Sequence, residues 1–124
     1  VGYVISSTDT VLLETMNGVQ RAGQAGKIKV LSANGSLDTL QRIEVGEQFA
    51  EIGFSGLHDG WSWVNALARM FADEVPEPNG SAYRLFTADN VGDLELTPAA
   101  FNTFAWYGTD AFMDPFLEAW GLDG

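Results

Sequence analysis

With 124 residues, 46% of them hydrophobic and 19% charged, the chain can bury a domain-sized core and does not read as a disordered segment. Seventeen acidic residues against six basic ones give a formal net charge of −11, and Arg21, Lys27, Lys29, Arg42, Arg69 and Arg84 are scattered along the chain. No phosphate-binding patch can be drawn from them, so nucleic acid is not an expected partner.

The absence of cysteine excludes disulfides, thiol nucleophiles and thiolate metal sites. A single histidine, His58, leaves no His cluster for a metal and no matched set for a Ser-His-Asp triad. No apolar run reaches the ~18 residues of a membrane span. Val1 enters a strand-like run at once, without an initiator methionine, so the chain reads as mature, trimmed or cut.

The first predicted element is a short strand over residues 1–6 (VGYVIS). From Asp9 to Arg21, Leu12, Met16 and Val19 recur at helical spacing, and Gly23 and Gly26 close that helix. Residues 28–33 (IKVLSA) form a second strand, apolar enough for a parallel strand covered on both faces. Asn34-Gly35 marks a turn, and Ser36 can cap a short helix running through Val45 to Gly46.

A third strand is predicted at residues 48–54 (QFAEIGF). A longer helix follows from about Asp59 to Val75, with Trp61, Val64, Leu67, Ala68, Phe71 and Val75 on its inward side. The stretch PEPNG, residues 76–80, reads as a linker before a fourth strand at 82–87 (AYRLFT), and Thr97-Pro98 reads as a helix start in an aromatic, turn-rich remainder. The alternation predicts an α/β fold, an open and mostly parallel sheet with flanking helices.

In such sheets ligands bind beyond the carboxyl ends of the parallel strands. Asp9 follows the first strand, Asn34 the second, and Phe54-Ser55 ends the third, so these positions converge on one edge. Asp9 has two readings, a helix-start acid worth roughly 1 kcal/mol or a ligand acceptor, and both can hold together. Asn34 reads equally as a plain turn residue and Phe54 as core. His58, in LHDGW, reads as a capping or solvated residue, and the sequons Asn34-Gly35-Ser36 and Asn79-Gly80-Ser81 are chance-level matches.

Nothing in the chain forms a catalytic constellation. A hydrolase would need a second acid beside Asp9 or a nucleophile in a strained elbow, and neither pattern occurs. Without a G-x-G-x-x-G or a P-loop no nucleotide cofactor is expected, and the sequence offers no catalytic residue, no metal ligand and no cofactor site.

Taken in order, SSTDTVLLETMNGVQRAG, KVLSANGSLDTLQRIEVGE, FAEIGFSGLHDGWSWVNAL and the closing DPFLEAWGL resemble the C-terminal portion of a type I periplasmic solute-binding protein. This is the ribose-binding-like family that serves sugar ABC importers. Thr8-Asp9 stands in place of the family's Asn-Asp, Asn34 where Asp is usual, Phe54 where Gln is common and Gly56 where Pro is common.

The resemblance implies a two-lobe protein that takes a sugar-like solute between its lobes and passes it to a membrane permease. By position it implies Asp9, Asn34, Phe54 and Thr8 as ligand contacts. It places residues 1–33 in the C-terminal lobe, 34–76 in the N-terminal lobe after a hinge crossover, and 77–124 in the hinge return, last strand and tail. A periplasmic or extracellular location and an incomplete, C-terminal piece with chain–chain pairing at its open sheet edges are also implied. The same lobe fold serves lactose-repressor-type regulators as an effector-binding domain, which is the alternative. The acidic balance and the Trp-Gly-Leu tail favour transport.

Overall fold

The computed structural model describes residues 2–78 and 80–122. Asn79, and with it the second sequon and part of the PEPNG stretch, lies outside the described residues. Four strands form one sheet in the order β1 (Tyr3–Ile5), β2 (Lys29–Asn34), β3 (Ala50–Phe54) and β4 (Tyr83–Thr87). The pairs β1–β2 and β2–β3 are parallel, in the registers Val4↔Val30 and Ser32↔Glu51. β4 returns antiparallel, pairing Glu51 with Phe86. The sheet is therefore α/β and mostly parallel.

Helix α1 (Leu12–Arg21) links β1 to β2 and helix α2 (Leu37–Glu44) links β2 to β3. The helix expected from Asp9 begins only at Leu12, because Asp9–Val11 form a tighter 3₁₀ turn. Asp9 does not cap its own helix: its carboxylate reaches across the edge to the start of α2. The chain leaves β1 still tied to the sheet, with Ser6 N–H donating to the Leu31 carbonyl at 2.8 Å.

Strand alternation puts Val30, Ser32, Glu51, Gly53 and Phe86 on one face. That face is closed by Leu40 and Ile43 of α2 and by Val91, Ala100 and Trp106 from the segment after β4. Phe86 meets Trp106 and Tyr107 edge-on, at 6.5 and 5.8 Å between ring centroids. The Trp106 indole N–H is satisfied by the Glu95 carbonyl at 3.1 Å, so the aromatic body is buried without an orphaned donor.

The opposite face carries Tyr3, Ile5, Ile52, Tyr83 and Leu85, all exposed. The apolar run of β2 predicted cover on both faces. Among the described residues the second face is largely open: Ala50 is buried there, but Leu31 and Ala33 are only half-buried.

The uncovered face follows from where helix α3 (Gly56–Phe71) goes. It packs on the chain's C-terminal residues, the turn at Asp110–Met113 and α5 (Asp114–Ala119), through His58, Trp61 and Asn65. Trp61 stacks on Trp120 with 5.2 Å between centroids, and the Trp120 indole donates to Asn65 Oδ1 at 3.1 Å. Of the inward face expected for this helix, only Trp61 is packed: Val64, Leu67, Phe71 and Val75 are exposed, Phe71 to 88%. An amphipathic pattern marks a face that wants cover, not one that this chain covers.

His58 is neither solvated nor a side-chain cap. Its backbone N–H donates to Ser55 Oγ, while its ring lies among Phe104, Phe112 and Phe116. After α3, Arg69 holds the chain back on itself through the Val75 carbonyl and the Glu74 and Glu77 carboxylates. Thr97 caps helix α4 (Pro98–Phe101), as its Thr-Pro pair predicted, by accepting from Ala100 N–H.

Candidate functional site

The carboxyl ends of β2 and β3 meet at a backbone approach that only glycine permits. A Cβ on Gly35 would lie 2.7 Å from Gly53 Cα and 2.8 Å from the Tyr107 hydroxyl, and Gly35 also has φ +80°. A Cβ on Gly53 would strike the Phe86 ring and the same hydroxyl. That hydroxyl donates to the Phe54 carbonyl at 3.0 Å, fixing the end of β3. Asn34, just before, holds φ at 130°, a strained conformation for a residue with a side chain.

Above this floor opens a cleft of about 440 Å³. Asn34, Ser36 and Phe54 line one side, and Asn102, Thr103 and Trp106 from the segment that folds back over the strand ends line another. Amides and hydroxyls supply both donors and acceptors, and the aromatic rings supply apolar surface. No charged side chain lines the cleft among the described residues. Such a lining suits a small, neutral, hydroxyl-rich molecule with C–H faces.

The structure brings two of the four candidate residues, Asn34 and Phe54, into that cleft. Asp9 and Thr8 are not part of its lining. Asp9 Oδ2 accepts from Ser36 N–H at 3.0 Å and from the Thr39 hydroxyl at 3.4 Å. Ser36 holds the N-cap position of α2, yet its own side chain makes no capping bond, so Asp9 caps this helix from the neighbouring strand end. Asp9 Oδ1 is buried from solvent and accepts no hydrogen bond. Thr8 shares a 2.6 Å bond between its hydroxyl and that of Thr10.

Behind the floor lies a residue that sequence reasoning passed over. Glu51, in the middle of β3, is fully buried. It accepts from the Ser32 hydroxyl, from Gln48 Nε2 at 2.8 Å and from Gly35 N–H at 2.7 Å. Burial, reinforced by the charge of Asp9, pushes its carboxyl up to about 7, against the opposing pull of the Ser32 and Gly35 bonds. Burial, and then the charge of Glu51, also raises the Tyr107 phenol, which stays a neutral donor. The signal for Glu51 was present in QFAEIGF, a carboxylate at an inward position of an apolar strand. The cleft wall from Phe101 to Tyr107 had no comparable signal, being aromatic-rich without a period.

No protein-family model matches the chain, and no curated protein matches it. Among solved structures, the fold is similar to an ABC transporter solute-binding protein from Agrobacterium vitis bound with α-D-tagatopyranose, at 24% identity and a TM-score of 0.59, covering 81% of this chain and 33% of that one. It is also similar to a second such protein from Agrobacterium vitis with bound D-fucose, at 19% identity and a TM-score of 0.59, covering 82% of this chain and 34% of that one. The chain spans about a third of the length of these solved structures. Its fold is that of part of an ABC transporter solute-binding protein, and the resemblance read from the sequence motifs holds at that level.

Proposed function

We propose that the chain is part of the solute-binding component of an ABC importer and takes a sugar or sugar-like polar solute at the carboxyl ends of β2 and β3. The observation that carries this reading is the uncharged cleft of amides, hydroxyls and aromatic rings, on the fold shared with sugar-bound binding proteins. Asn34 is the hydroxyl-binding amide and Phe54 the apolar cover for the ring face. Asp9 serves by holding Ser36 in place, and Thr8 serves through the turn that presents Asp9. Release of the solute to a membrane permease, at a periplasmic or extracellular surface, completes the role.

The lobe exchange, in this reading, falls at Ser55 instead of after residue 33. β1, β2 and β3 share one sheet with β4, while α3 packs with the Asp110–Met113 turn and α5. Ser55 N–H bonding the Ala82 carbonyl at 3.2 Å puts the outgoing and returning strands side by side, as a hinge requires.

A thermal-shift screen of the full-length protein against neutral monosaccharides, D-tagatose and D-fucose included, tests the ligand class. A saturable rise in melting temperature with one or more of them is expected. A rise with amino acids or organic anions and none with any sugar would overturn the reading.

A further inference from the structure

Glu51 lies in β3 and Asp9 in the turn after β1, yet the two carboxyl groups accept from consecutive amides, Gly35 N–H at 2.7 Å and Ser36 N–H at 3.0 Å, which brings them together beneath the Asn34–Gly35 turn. Glu51 Oε2 takes two donors, Ser32 and Gln48, and Oε1 takes one, Gly35 N–H. A carboxylate offers about four lone-pair positions, so one remains, on Oε1. On the other side, Asp9 Oδ2 is occupied by Ser36 and Thr39, while Oδ1 is buried with no donor. A buried acceptor left unpaired is destabilising, and two carboxylates side by side away from water are more so. One proton between them removes both penalties.

We propose that Glu51 and Asp9 share one proton, and that this carboxyl–carboxylate hydrogen bond makes Glu51 the positioning residue of the cleft floor. The pair ties three segments together: the turn after β1 through Asp9, the middle of β3 through Glu51, and the Asn34–Ser36 turn through the amides of Gly35 and Ser36. Asn34 is held at its strained φ by the two amides that follow it.

Among the described residues, no cation is paired with either carboxyl to replace the proton. Tyr107, from the segment after α4, is neutral, with Arg84 of β4 and Asp59 of α3 acting on its phenol. Arg84 is engaged with the Trp106 carbonyl at 2.7 Å, and at the start of α2 the pair meets only Ser36 and Thr39. Loss of the proton sets two negative charges against each other. Their separation pulls on the Gly35 and Ser36 amides, so the cleft floor changes as pH rises past neutrality.

The test is a side-chain carboxyl ¹³C titration of the full-length protein by NMR, between about pH 4 and about pH 9, with the Gly35 and Ser36 amides followed alongside. The Glu51 carboxyl is expected to titrate near neutrality, with both amides moving at the same midpoint. In Asp9→Asn the midpoint should drop by about one unit or more, because the like charge is gone. In Glu51→Gln the amide group donates permanently to Asp9, and the Gly35 and Ser36 resonances should become independent of pH. A wild-type Glu51 already ionised at pH ~5, or an Asp9→Asn midpoint that stays in place, would overturn the proposal. If a variant fails to fold, the wild-type titration decides through the two amides. None of these readouts uses a sugar, so a failed ligand screen and a failed shared proton are separate results.

Discussion

The strand-end edge and the open sheet face adjoin one another on β3, yet they are built on opposite plans. At the edge, Gly35 and Gly53 press backbone against backbone, Tyr107 clamps the Phe54 carbonyl, and Asp9 and Glu51 bind the turns from below. All of that structure is made within this chain. Across the sheet, Ile5, Ile52, Tyr83 and Leu85 face solvent, and α3 presents Val64, Leu67 and Phe71 outward. The contrast shows where this chain's stability resides. Edge and covered face hold their geometry without outside help, while the open face contributes little until something apolar covers it.

Trp106 fills the covered face with 2% of its surface exposed, so Trp106→Ala should lower unfolding free energy by about 3–5 kcal/mol in a denaturant titration. A smaller loss would mean that the covered face is looser than its packing indicates. Next comes Glu51. A carboxyl raised from 4.5 to about 7 binds its proton more tightly folded than unfolded. Stability is therefore full below about pH 4.5 with respect to this group, falls by up to about 3 kcal/mol as pH rises to about 7, and is flat above. Melting curves should show that decline in the wild type and not in Glu51→Gln.

The close approach is probed by Gly35→Ala, which adds a Cβ against the Gly53 backbone at a positive φ. We expect a loss of about 2 kcal/mol, with α2 and the cleft disturbed together in amide exchange. Asp9→Ala removes the cap that α2 borrows from the neighbouring strand end, and should cost about 1 kcal/mol with earlier exchange at Ser36. On the open face a polar side chain costs little. Leu85→Ser, at 55% exposed, should change stability by no more than about 0.5 kcal/mol in this chain. A large loss there would show that the open face is covered after all.

Much of the edge was legible in the sequence because strand order and parallel direction alone bring Asn34 and Phe54 together. The role of Asp9 was half legible. Its place at a strand end could be read, but the helix it caps is α2, and only the three-dimensional approach of β1 to the β2 turn reveals that. Glu51 was passed over because strand patterning treats a lone acid as noise, although alternation already placed it inward. The inward face assigned to α3 failed for a different reason: Val64, Leu67 and Phe71 satisfy the helical period whether or not a partner lies within these residues. The fold of the tail was illegible, since the burial of Trp106 and Tyr107 depends on contacts with Phe86 and Gly53 that no local period encodes.

The central claim, a neutral polar solute held at the strand ends, is tested most directly by amide NMR of the ¹⁵N-labelled full-length protein titrated with a monosaccharide that raises its melting temperature. The account predicts saturable shifts centred on Asn34, Gly35, Ser36 and Phe54, and their loss in Asn34→Ala. Saturable shifts confined to the open sheet face or to the exposed side of α3, with the strand-end amides unmoved, would contradict it.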